Sequence, residues 1–191
     1  LLSKVISLAD YFIGEVFVLG KLTDKKGNIT KKAAAALDCA VVEGVSLLNP
    51  ELNSNAVALV KRRIYDNLAY DLPAGQTIPR RPFHWAVEFP EVFVQGGFDA
   101  IVGNPPFSGG RRLKGSISET YHSYIVRAVS PNGAGAKNAD LCSYFYLRSY
   151  ELIKSGATFG LIASNSIAEG DTRQTGLEQL LKLGAKIIAS H

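Results

Sequence analysis

A chain of 191 residues with 47% hydrophobic and 20% charged residues has enough apolar material for a domain-sized core and too much for intrinsic disorder. No apolar stretch reaches the roughly 20 residues needed to cross a bilayer, so no membrane span is expected. A net charge of +4 permits a polyanionic partner without requiring one, and the two distant cysteines, Cys39 and Cys142, lack metal-ligand or disulfide-framework spacing, which fits a reducing cytoplasm.

The first residues, LLSKVISLADYFIGEVFVLG, are apolar, but Lys4, Asp10 and Glu15 recur along them and no basic start or small-residue cleavage site frames them. That pattern predicts an amphipathic helix over about 1–19 rather than a signal peptide. After the polar turn TDKKGN, further helices are expected over 32–48 and 54–70. The last of these takes Ser54 as its N-cap, with Val57, Val60, Ile64 and Leu68 at helical spacing and Lys61, Arg62 and Arg63 on its exposed face. DLPAGQTIPRRP, with three prolines and a glycine, marks a linker over 71–82 between a helical segment, 1–70, and an α/β part, 83–191. His84 and Trp85 beside the next apolar run read as packing residues.

Phe98 to Val102 form a short apolar run of the kind found in a strand covered on both faces. A long polar loop is expected over 107–137, carrying SGGRRLKG and PNGAGAK. Asn138 can then cap a helix running to about Ser155, with Leu141, Tyr144, Phe145, Leu152 and Ile153 on one stripe and Gly156 just past its end. ATFGLIA, 157–163, predicts a second strand. Asp171 or Thr172 can open a helix ending at Gly184, and AKIIA predicts a third strand. Strands alternating with helices imply a mostly parallel α/β sheet with helices on both faces.

The chemistry gathers where the first strand stops. In open α/β sheets ligands sit at the carboxyl ends of the strands, where Gly103 and Asn104 lie. Prolines fix their own φ and restrict the residue before them, so Asn104-Pro105-Pro106 is a stiff extended elbow. Asn104 offers a side-chain carbonyl, and the Pro105 carbonyl is a second acceptor. Two preorganised acceptors suit a planar amine with two protons, and Phe107 offers a flat face for a ring. An amine conjugated to a ring is a poor nucleophile, because its lone pair is delocalised. Holding both protons favours an sp³-like nitrogen without a dedicated base. Ser164, Asn165 and Ser166 end the 157–163 strand on the same edge and are candidate site-wall residues by position. The scattered histidines show no metal-ligand spacing, so no metal is expected.

The string FDAIVGNPPF resembles the catalytic motif of amino-methyltransferases that use S-adenosylmethionine, written [DNS]-P-P-[YFW] after a strand. Together with FHWAVEFPEVF before it and NADLCSYFYLRSYELIKSGATFGLIASNSIAEGDTRQTG after it, the chain is similar over roughly 83–191 to adenine-specific DNA methyltransferases of restriction-modification and related phage-defence systems. The resemblance implies a partial Rossmann-like methyltransferase fold preceded by a helical segment. It makes Asn104 and Pro105 acceptors for the adenine N6 amine and Phe107 a stacking partner for a base swung out of double-stranded DNA. Pro106, Asp140 and Phe145 would lie against the cofactor, S-adenosylmethionine. Arg111, Arg112 and Lys114 on the glycine-rich loop are candidates for phosphate contact. Restriction or defence-system subunits or domains are the implied partners.

The family's glycine-rich turn and its acidic residue for the ribose hydroxyls are not found upstream of Asn104, and GAGAK at 133–137 follows no strand. The expectation is therefore an internal piece of a larger enzyme, with catalysis by the piece alone doubtful. The same motif also serves RNA-base and protein-glutamine methylation, and a non-catalytic nucleic-acid-binding module is the reading from another class.

Overall fold

The computed structural model describes residues 2–20, 28–51, 53–109, 117–130 and 138–188. The chain divides into two compact units, Leu1–Pro90 and Glu91–His191. Among the described residues no helix is long and apolar enough to cross a membrane.

The first unit is built on α1 (Leu2–Leu19), α2 (Lys31–Leu48) and α3 (Ser54–Leu68), followed by a single turn of helix, α4 (Trp85–Glu88). Thr30 caps α2, its hydroxyl accepting from the Ala33 amide at 3.2 Å. The cap of α3 is Asn53, whose side chain accepts from the Ala56 amide at 3.0 Å. The expected Ser54 is the first helical residue instead, because Asn53 stands three residues before that amide, the spacing an N-cap needs. Tyr11, Ala40, Leu47 and Val60 form the core, with Leu8, Phe12, Val57 and Ile64 packed around them. Gly44 lets α1 and α2 close on each other, since a Cβ there would run into the Leu8 side chain.

Charge enters this core where the sequence pattern gave no sign of it. Glu15 is buried and accepts from Arg63 Nε at 2.6 Å, Arg63 Nη2 at 2.8 Å and Asn67 Nδ2 at 2.7 Å. Arg63 also reaches Glu43 at 3.3 Å and lies over the Tyr11 ring, whose hydroxyl donates to Glu43. Lys61 and Arg62 are exposed as expected, but the Arg63 guanidinium is committed to the helix interface.

Residues 71–84 form no helix or strand, yet they are anchored. The Arg80 guanidinium donates to the carbonyls of Leu68, the last residue of α3, and of Tyr70 and Asp71 just beyond it, and lies 4.6 Å from the centroid of the Phe17 ring. His84 pairs with Asp10 at 2.7 Å and Trp85 stacks on Phe89.

The second unit opens within α5 (Pro90–Val94) and turns through Gly96 and Gly97, both at positive φ, into β1 (Phe98–Gly103). At Gly97, with φ +125, a Cβ would meet the Leu152 carbonyl oxygen at 2.6 Å and the Ile153 and Lys154 backbone at 2.9 Å, so only glycine fits. After β1 come α6 (Glu119–Val129), α7 (Leu141–Leu152), β2 (Ile153–Leu161), a 3₁₀ turn at Asn165–Ala168, α8 (Gly170–Thr175) and α9 (Leu177–Lys182).

The strands β1 and β2 pair in parallel, in register from Ala100↔Thr158 to Gly103↔Leu161. Between the Phe98↔Ile153 and Ala100↔Thr158 pairs β2 takes extra residues, and Gly156, at φ +79, lies in that irregularity. The expected helix to Ser155 therefore stops at Leu152, and Gly156 belongs to the strand.

Five further expectations are corrected among the described residues. The stretch read as one loop contains α6, capped by Ser118, whose hydroxyl accepts from the Tyr121 amide at 3.2 Å. The 140s helix is capped by Asp140 rather than Asn138. The helix expected up to Gly184 is broken at Gly176, where a Cβ would press on Ser143 of α7 at 3.0 Å. Residues 185–188 make no ladder, Ile187 and Ile188 are exposed, and Val102 on β1 is 88% exposed, so the sheet has two strands and is not covered on both faces. The fold class is mixed α/β with a parallel pair. The core of the unit lies on α7: Cys142, Ser143, Tyr144 and Leu147 are buried with Ala139, Leu152, Thr175 and Leu180, whereas Phe145 turns outward.

Candidate active site

Parallel pairing puts the carboxyl ends of β1 and β2 on one edge. The ladder continues one step past the strands, with the Ile162 amide donating to the Gly103 carbonyl at 3.0 Å. Asn104 therefore leaves β1 beside the segment that carries Ser164, Asn165 and Ser166, where the Ser164 and Ser166 hydroxyls are 2.7 Å apart. Tyr146 of α7 secures this edge from below, donating its hydroxyl to the Leu161 carbonyl at 2.8 Å.

Along the elbow exposure alternates. Asn104 is exposed, Pro105 is buried, and Pro106 and Phe107 are exposed. Burial of the Pro105 ring roots the elbow in the unit while its neighbours face solvent. Among the described residues no hydrogen bond engages the Asn104 side chain, and none reaches the Pro105 carbonyl. The Phe107 ring is half exposed.

Ser108 is where the elbow is tied down. Its amide donates to Asp140 Oδ1 at 3.3 Å and its carbonyl accepts from the Leu141 amide at 3.1 Å. Asp140 is buried, and the same Oδ1 accepts from the Cys142 amide at 3.0 Å, the N-cap bond of α7. The Asp140 amide in turn donates to Thr172 Oγ1 at 3.0 Å. The structure thus brings Asn104, Pro105, Pro106, Phe107 and Asp140 into one region of the second unit. It leaves Phe145 on α7 exposed. Arg111, Arg112 and Lys114 lie outside the described residues. Ser108 and Thr172 were missed in the sequence. Ser108 carries no chemical signal there, and the role of Thr172 depends on a partner 32 residues away.

Two buried side chains of α7, Cys142 and Tyr144, are held neutral. Burial, reinforced by the Asp140 charge, pushes the Cys142 thiol up to about 12. Burial, with Asp171 adding to it, pushes the Tyr144 phenol up to about 12. Neither is poised to act as base or nucleophile near neutral pH.

The site is thus an exposed, acceptor-bearing Asn-Pro-Pro-Phe elbow at the end of a strand in a parallel pair. The chain belongs to the Eco57I restriction-modification methylase family, whose model matches residues 18–187. The match begins inside α1 and so takes in most of the helical unit, beyond the 83–191 over which the motifs suggested the likeness. A protein of Methanocaldococcus jannaschii named as a type II restriction enzyme and methyltransferase is 29% identical over 90 residues, 47% of this chain. Those residues span 7% of that relative's length. No solved structure matches the chain.

Proposed function

We propose that this chain is the part of a site-specific DNA methyltransferase that receives the target adenine and presents its N6 amine for methylation, with S-adenosylmethionine as the methyl donor. The observation that carries the reading is the elbow: two carbonyl acceptors without partners among the described residues, at an exposed strand tip beside a half-exposed aromatic ring.

The adenine amine is conjugated to its ring and carries two protons. Asn104 Oδ1 and the Pro105 carbonyl each accept one, drawing the nitrogen toward sp³ geometry and freeing its lone pair for the methyl group. S-adenosylmethionine, when bound, would supply the methyl group and keep the sulfur as leaving group, while the two acceptors would hold the amine and its surplus proton would pass to solvent. Phe107 stacks on the base once it has left the duplex, which offsets part of the unstacking cost. A partial Rossmann-like fold is the framework this reading calls for.

The donor would need a carboxylate with a free oxygen for its ribose hydroxyls and a glycine turn for its tail. Asp140 Oδ1 is already engaged by two backbone amides and the residue is 6% exposed. Buried in this way, Asp140 is poorly placed to meet a ribose, and the reading rests on the methyl acceptor alone.

The test is methyl transfer by the full-length protein to DNA, RNA and protein substrates, with the product identified by mass spectrometry. N6-methyladenine in DNA is the expected product, and Asn104→Ala should lower kcat by at least about 10²-fold, as expected for loss of a transition-state acceptor, with DNA affinity unchanged. Methylated RNA or glutamine in place of DNA, or activity retained within a few fold, overturns the reading.

A further inference from the structure

An elbow that must deliver two oxygens to one nitrogen needs both ends fixed. Its entrance is fixed by the β1–β2 ladder. Its exit is Ser108, which directs both backbone groups at the start of α7: the amide to Asp140 Oδ1 and the carbonyl to the Leu141 amide. The Leu141 amide is one of the helix donors with no partner inside the helix, so the bond satisfies the helix and the loop together.

Asp140 does more than an N-cap requires. Capping needs one bond, from Oδ1 to the Cys142 amide, and this is present. The same oxygen also accepts from Ser108, the Asp140 amide is held by Thr172 Oγ1, and its carbonyl accepts from the Ser143 hydroxyl at 2.8 Å. Thr172 is 7% exposed and Ser143 fully buried, so the anchor is embedded. Among the described residues Phe107 has no such hold of its own: it lies between the fixed φ of Pro106 and the tethered amide of Ser108.

We propose that Asp140 is a positioning residue, which fixes the exit of the elbow against α7 and α8 and thereby sets where Phe107 and the Pro105 carbonyl stand. The role in catalysis rests on the reading of the elbow given above. It replaces the cofactor contact that the family resemblance suggested for Asp140.

Three variants of the full-length protein separate anchoring from capping and from charge. Asp140→Ser keeps a good N-cap but has a shorter reach, so it holds Cys142 and releases Ser108. Asp140→Asn keeps an Oδ1 that can accept from both amides. Asp140→Ala loses both bonds. The first readout is amide hydrogen exchange at Ser108, which needs neither DNA nor donor. The second is kcat on DNA, with donor binding measured by calorimetry.

In Asp140→Ser, Ser108 should exchange at least about tenfold faster while Cys142 keeps its protection. Its kcat should fall by roughly 10²-fold, the cost of about 1 Å of misplacement, with donor affinity unchanged. Asp140→Asn should restore both, and Asp140→Ala should match the serine variant with added loss of thermal stability. Unchanged Ser108 exchange in Asp140→Ser overturns the proposal. So does an Asp140→Asn variant as impaired as the serine one with weakened donor binding, since charge toward the donor would then be the cause. If the wild-type protein methylates no adenine, the reading of the elbow falls, while the exchange measurement still decides whether Asp140 anchors Ser108.

Discussion

Replacing Arg63 with methionine should destabilise the helical unit far more than an exposed arginine on a helix normally would. Glu15 has 6% of its side chain exposed and accepts three hydrogen bonds, two of them charge-assisted bonds from Arg63 and the third from Asn67. Methionine preserves most of the packing and leaves a buried carboxylate with one amide partner. Removing one member of a buried pair costs about 3–5 kcal/mol, but the Arg63 side chain is 42% exposed, so water can enter the vacated position and about 2–3 kcal/mol is the reasonable figure. Glu43, with 41% of its side chain exposed, also loses Arg63 but stays solvated and adds little. The single tryptophan, Trp85, belongs to this unit and its ring stacks on Phe89, so its fluorescence in a urea titration follows the unit concerned. With a slope of about 1.5 kcal/mol/M the midpoint should drop by roughly 1.3–2 M. Adding Glu15→Gln, which removes the stranded charge, should recover more than half of the loss. A drop below about 0.3 M, or no recovery in the double variant, would refute the idea that Glu15 depends on Arg63.

Other consequences are equally open to measurement. Gly97→Ala forces a Cβ into the Leu152–Lys154 backbone at a positive φ, and should cost the second unit at least about 3 kcal/mol, read as a lowered melting temperature by circular dichroism. Iodoacetamide at pH 8 should label exposed Cys39 and spare buried Cys142, whose thiolate fraction with a pKa of about 12 is on the order of 10⁻⁴; equal labelling would contradict the burial. Because the Tyr144 phenol is raised from 10.0 to about 12, the unfolded state loses its proton first. The stability contributed by Tyr144 should therefore hold below about pH 10 and be lost as pH rises toward 12, about 3 kcal/mol in all, with Tyr144→Phe flattening that part of the decline.

The sequence was most legible where periodicity runs long. The three helices expected over 1–19, 32–48 and 54–70 are found at Leu2–Leu19, Lys31–Leu48 and Ser54–Leu68, since each repeats its apolar face over several turns. It was least legible where a local signal competes with a nearby equivalent. Asn53 and Ser54 are both good caps, and spacing to the Ala56 amide decides for Asn53. Glycine-rich neighbours hid α6 inside an apparent loop. AKIIA has strand composition, but a strand also requires a partner, which residues 185–188 lack among the described residues. At the candidate site, stiffness and available oxygens could be read from Asn-Pro-Pro. Burial of Pro105 and the engagement of Asp140 could not, because both depend on residues distant along the chain.

The tie between Ser108 and Leu141 closes the intervening segment into a ring whose departure and return points coincide. Lengthening such a ring is cheap, about 0.6 kcal/mol for each doubling, and shifts neither end. An insertion between residues 109 and 140 is therefore expected to leave the geometry of the strand tip as it is.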